Sequence, residues 1–167
     1  MSEIIVSSGE EKRLLFVHDT QKSENVVIRL SGEGAKVFVD EIFLNNAKSE
    51  VRIIHESSKT ESFVFSRGAV SGEVGALATI HIPKGMKKSK SVVKQRFILL
   101  NNSAKAVAMP ALEIEESDVT ASHSSSVSPL NDKELFYLQS RGFSEVESRK
   151  MLVEALLALP EGVKWQG

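Results

Sequence analysis

From its start to about Ile114, the chain alternates short runs rich in Val, Ile and Phe with breaks of Gly, Ser, Asn or Lys. The runs are Asn25 to Leu30, Lys36 to Leu44, Val51 to Ile54, Ser62 to Phe65, Val74 to Ile82, Val92 to Leu100 and Lys105 to Met109. β-Branched and aromatic side chains suit a pleated surface, so runs of this length between turn formers predict strands. Phe97-Ile98-Leu99-Leu100 is continuously apolar, and Lys36 to Glu41 alternates only in part. Strands of that kind are covered on both faces, as in a sandwich or in the stacked coils of a β-solenoid. No helical period interrupts them, which argues against a doubly wound α/β fold. Their spacing is uneven, so exact repeats are not expected.

After Pro129 the pattern changes. Asn131 or Asp132 can cap a helix through Lys133 to Arg141, and Gly142 suits the left-handed residue that ends it. Ser144 and Glu147 form a capping box for a second helix through Met151 to Leu157, stopped by Pro160 and Gly162. The expected organisation is a β core over residues 1–128, a helical subdomain over 129–160 and a tail over 161–167. Leu135, Phe136 and Leu138 on the first helix, with Leu152, Leu156 and Leu159 on the second, exceed what two short helices can hide against each other. They either cap the β core or receive a partner.

Composition narrows the chemistry. The 167 residues contain no Cys, which excludes disulfides, a thiol nucleophile, a zinc ribbon and an iron-sulfur cluster held by this chain's own thiolates. With 21 Lys plus Arg against 22 Asp plus Glu, bulk charge does not favour nucleic acid. No signal peptide or membrane-spanning run is evident, so the expectation is a cytoplasmic protein with no membrane partner.

His123, between the acidic run Leu112 to Glu116 and the helices, is a candidate metal ligand, although a lone His is more often a turn or core residue. His18, His55 and His81 form no ligand pair by spacing. Lys84, Lys87, Lys88, Lys90, Lys94 and Arg96 form a basic run that reads as a solvated strand edge guarded by lysines. Phe97 is the one aromatic beside it, which disfavours a single-strand nucleic-acid platform. The serines from Ser122 to Ser128 lack a nucleophile-elbow context.

Several separated motifs, in order, resemble the SufB/SufD family of Suf iron-sulfur cluster assembly scaffolds. They are Pro110-Ala111-Leu112-Glu113-Ile114, Asp118-Val119, Ser122-His123 and Leu135-Phe136-Tyr137-Leu138-Gln139-Ser140-Arg141-Gly142-Phe143-Ser144. The clear likeness runs from Gly75 to Leu159. It implies a mainly β protein, a right-handed parallel β-helix with a small C-terminal helical subdomain. It also implies pairing through the β-helix edge with a SufB-like subunit or with itself as a dimer, and docking on a SufC-like ABC ATPase. His123 matches the family's His near the pair interface, a candidate iron or cluster ligand. Leu135, Phe136, Tyr137, Arg141, Gly142 and Leu152 match the ATPase-docking segment.

The chain departs from the pattern where SufD-type sequences often carry a Cys, here Ala121, and where Ser124 replaces the Gly after the His. The family's N-terminal helical region and many coils have no counterpart, so the sequence resembles a minimal core closer to SufD than to SufB. The expected function is non-enzymatic, with no cofactor bound stably by this chain alone and a transient iron-sulfur cluster only in a complex. Two other readings stay open: a β-solenoid interaction module without cluster chemistry, and a small metal-dependent β enzyme using His81 or His123 with Glu113 and Glu115.

Overall fold

The computed structural model describes residues 2–18, 23–44 and 46–158. Leu159, the stop at Pro160 and Gly162, and the tail over 161–167 lie outside these residues. Ten strands precede two helices: β1 (Ser2–Val6), β2 (Glu11–His18), β3 (Ser23–Leu30), β4 (Lys36–Phe43), β5 (Ala47–His55), β6 (Glu61–Val70), β7 (Glu73–Ile82), β8 (Lys90–Leu99), β9 (Lys105–Ile114), β10 (Thr120–Pro129), α1 (Asp132–Ser140) and α2 (Glu145–Leu157). The odd strands form one parallel sheet, in the order β1-β3-β5-β7-β9, and the even strands the other, β10-β8-β6-β4-β2. Each coil therefore adds one strand to each sheet, and the chain is a parallel β-solenoid of five turns, as the resemblance implied.

Stacking of like on like sets the register. On the second sheet Val39 lies over Val64, and Val64 over Val93; on the first, Ile28 lies over Ile53, and Ile53 over Ile80. All six are buried, and with Val6, Leu30, Val37 and Ile82 they form the main core between the sheets. Burial of this kind contributes about 1.5–3 kcal/mol for each large aliphatic side chain. The loops lengthen along the chain: Lys36 stands over Glu61, and Glu61 over Lys90, steps of 25 and 29 residues. That drift is why the strand spacing in the sequence is uneven.

Some inward positions are polar, and they stack as well. Thr60 meets Ser89 and Ser62 meets Ser91 as hydroxyl pairs at 3.0 and 2.8 Å. A second cluster, Phe43, Val70, Val74, Ala76 and Phe97, fills the far ends of the strands. Gly68 sits there because a Cβ would lie 2.9 Å from the Phe43 Cβ and 3.0 Å from the Phe97 ring, too close for any side chain. Val153 and Leu157 of α2 are fully buried against Ile42 and Ala69 and cap the β core, whereas of the helical side chains expected to do so Leu135, Leu138, Leu152 and Leu156 are half-buried and Phe136 is exposed. Arg67 fixes the docking, donating from Nε to the Leu157 carbonyl at 2.6 Å and from a terminal nitrogen to Asp40 at 2.7 Å. No helix among the described residues is long and apolar enough to cross a membrane.

The basic run differs from its expected place. Lys90, Lys94 and Arg96 lie on β8, which is flanked by β6 and β10 and is not an edge. Parallel stacking covers both flanks of β8, so its cations mark the outward face of a central strand.

Candidate functional site at the open last coil

Strand β10 is the segment Thr120-Ala121-Ser122-His123-Ser124-Ser125-Ser126-Val127-Ser128-Pro129, most of which is poor in β-formers. It is held as a strand by its ladder to β8, in which Ala121 pairs with Ser91, His123 with Val93, Ser125 with Gln95 and Val127 with Phe97. Those β8 partners are all buried, so their neighbours on β10 continue the inward-facing file. No further coil covers them here. Ala121 is half-buried, while His123, Ser125 and Val127 are exposed. Across the coil, Ala108, Pro110, Leu112 and Ile114 of β9 follow buried Ala76, Ala78, Ile80 and Ile82, and are themselves only half-buried. The solenoid interior thus opens at this end, with His123 in its mouth.

The two edge strands differ. In β9, Pro110 lacks an amide proton, and Lys105 and Glu113 add charge, features that discourage strand addition. In β10 there is no charged residue, and its proline closes the strand. The turn between them is pinned by Glu116, whose carboxylate accepts from the amides of Gly85 at 2.8 Å, Ser117 at 3.0 Å and Asp118 at 3.1 Å. The Asp118 and Gly85 amides hold the Glu116 carboxyl below the usual carboxylate range.

His123 makes no hydrogen bond or ion pair with any described residue. His81 differs, its Nε2 lying 3.2 Å from Glu115, while Glu113 is held by Arg52 at 2.5 Å. Among the described residues no group of three or more His, Asp or Glu side chains converges to hold a metal ion. The proposed pairing of His81 or His123 with Glu113 and Glu115 in an enzyme has no such group behind it.

Strand β10 leads through buried Leu130 into the helices. Asn131 caps α1 by accepting from the Lys133 amide at 3.0 Å, and Gly142 follows it with φ +97°. The capping box of α2 is complete: the Ser144 hydroxyl accepts from the Glu147 amide, and the Ser144 amide donates to the Glu147 carboxylate at 2.8 Å. The Ser144 hydroxyl and amide hold that carboxyl below its usual range. Helix α1 packs on α2 and has no buried residue of its own. Phe136 is 71% exposed and Tyr137 57%, with the Arg141 guanidinium 5.2 Å from the Tyr137 ring centre. Leu135 and Leu152 are half-buried, and Gly142 is exposed. These side chains leave an apolar, aromatic surface on the outward side of the helix pair.

Two buried polar sites escape a reading by spacing. His18 is enclosed with Glu41, Nε2 to Oε1 at 3.2 Å, while its Nδ1 lies 3.4 Å from Glu24. The Glu41 carboxylate also accepts from the Ser49 and Ser66 hydroxyls, the latter at 2.7 Å. His55 bridges Thr60 at 2.7 Å and Ser62 at 3.0 Å. The one signal for either was polar residues within otherwise apolar strands.

The profile of the SUF system FeS cluster assembly SufBD core domain matches residues 15–156. Among curated proteins, the chain is 32% identical over 123 residues to the iron-sulfur cluster assembly protein SufD of Bacillus subtilis, covering 69% of this chain and 28% of that protein. It is 28% identical over 138 residues to a SufBD family protein of Mycobacterium leprae, covering 81% of this chain and 15% of the relative. A SufBD family protein of Staphylococcus saprophyticus is 29% identical over 140 residues, 80% of this chain and 30% of its own length. The chain spans less than a third of each of these relatives. The match covers most of the solenoid, the open last coil and the two helices, and on it the chain belongs to the SufBD core family of the SUF iron-sulfur cluster assembly system.

Proposed function

We propose that this chain is a non-enzymatic scaffold component of cytoplasmic iron-sulfur cluster assembly, pairing through β10 and docking an ABC-type ATPase of the SufC kind through α1 and α2. The observation that carries the reading is the open last coil, where an uncharged edge strand presents His123 beside an uncovered apolar interior. Backbone pairing along such an edge supplies main-chain hydrogen bonds, and burial of Val127, Leu112 and Ile114 supplies the apolar contribution. Since the chain has no Cys, thiolate ligands for the cluster cargo come from a partner, which favours a cysteine-bearing SufB-like subunit over a second copy. His123 then offers one imidazole nitrogen. The exposed Phe136, Tyr137 and Arg141 have the character of an interface anchor.

Light scattering of the chain alone and with a SufB-like subunit tests the pairing. Val127→Asp, which buries a charge in the joint, should leave monomers; an unchanged complex would sink the pairing. Capture of a SufC-like ATPase should be lost in Phe136→Asp with Tyr137→Asp, and retention would remove helix docking. Anaerobic preparations of the pair carrying His123→Ala should retain less iron than the parent pair. Equal iron would favour the second reading, a pairing module without cluster chemistry, for which Ala121 in place of a family Cys already speaks.

A further inference from the structure

The outward face of the second sheet holds a groove of about 440 Å³, open along one side, in which α2's last turn faces β6, β8 and β10. One rim is Phe65, 41% exposed, and Leu156 of α2 also lines the groove. Lys94 and Arg96 lie on its floor, two residues apart on one face of β8 and therefore about 7 Å apart along the strand. The register sets Ser124 beside Lys94 and Ser126 beside Arg96, one strand spacing of about 4.8 Å away. Two cations and two hydroxyls thus stand at the corners of one small rectangle.

Their charge is uncompensated. Arg67, also in the lining, is committed to Asp40 and to the Leu157 carbonyl, which it shields at the negative end of α2. Lys94 meets the Phe65 ring, its Nζ 5.4 Å from the centre. Among the described residues neither Lys94 nor Arg96 reaches a carboxylate. A double positive charge with hydroxyl donors matches a phosphate dianion better than a single carboxylate. An aromatic rim and an aliphatic side chain add apolar contact for a flat body, and the volume is that of a small-molecule site.

We propose that this groove binds a small phosphomonoester carried on a planar apolar body, the phosphate held by Lys94, Arg96, Ser124 and Ser126 and the body by Phe65 and Leu156. The groove shares β10 and α2 with the pairing and docking surfaces proposed above, so binding is measured on the chain alone, where the outcome does not depend on either partner. It can be tested by fluorescence titration of the full chain with 4-methylumbelliferyl phosphate, in parallel with 4-methylumbelliferone and inorganic phosphate. The ester should bind at least about tenfold more tightly than either fragment. Lys94→Gln with Arg96→Gln should weaken it by about tenfold or more, and Ser126→Glu, which sets a carboxylate among the cations, should do the same. Phe65→Ala should weaken the ester while leaving inorganic phosphate unchanged, and Lys105→Gln on the other sheet should have no effect. An ester that binds no better than inorganic phosphate, no saturable binding at millimolar ester, or unchanged binding in both the double variant and Ser126→Glu would each overturn the proposal.

Discussion

The His55 ring lies fully inside the solenoid with a hydroxyl at each nitrogen, and burial pushes its pKa down from 6.5 to about 4. The unfolded chain therefore binds the proton more tightly than the native one. The stabilisation from the neutral ring is complete above pH 6.5 and is lost as pH falls towards 4. Each pH unit in that window costs about 1.4 kcal/mol, or roughly 3 kcal/mol in all. Urea midpoints at pH 7.5 and 4.5 should show most of this loss in the parent protein and much less in His55→Gln; equal losses would refute the assignment. Glu116 acts in a lower window, because a carboxyl whose folded pKa is depressed loses its contribution only as pH falls through the carboxylate range. A different cost attends Glu41, which holds His18, Ser49 and Ser66 inside the fold. Glu41→Ala leaves buried donors and a ring without their acceptor and should cost about 3–5 kcal/mol in urea unfolding. Neither network was legible in the sequence. His18 and Glu41 stand 23 residues apart and meet because parallel coils stack residues nearly a whole turn of the solenoid apart. Short-range spacing carries no trace of that.

Elements whose signal is local read well. The β-branched runs that became β3 to β9, and the caps at Asn131, Gly142 and Ser144, are decided within a few residues of themselves. Replacing Ser144 by Ala removes a hydroxyl that both accepts from and donates to Glu147, and should lower stability by about 1 kcal/mol, read as a shift in the thermal midpoint. Strand β10 is the opposite case. Most of its residues are poor β-formers and it is not among the runs that read as strands, and only the ladder to β8 makes it extended, so a tertiary interaction overrides the propensity of the segment. Since β10 carries His123, the ligand candidate was legible as a residue and its strand was not. The lysines of β8 misled for a related reason. Charge on an outward face reads the same in sequence whether the strand is central or at an edge, and only the stacking order distinguishes the two.

As a whole molecule the solenoid is nearly one-dimensional. Strands pair with those one coil before and one coil after, and among the described residues no strand ladder ties the first coil to the last. Stability in such an array is a sum of coil and neighbour contributions, and inner coils are stabilised from two sides. The closing coil of β9 and β10 is stabilised from one, and its inward side chains are partly wet. Local opening should begin in such end coils. Amide hydrogen exchange of the isolated chain should therefore be faster in β1, β2, β9 and β10 than in β5 to β8, and a uniform profile would contradict the additive picture. A partner strand added to β10 would supply the missing neighbour. On the pairing proposed above, the strand bearing His123 would have its order completed by association, its amides slowing on complex formation as the imidazole becomes fixed in place.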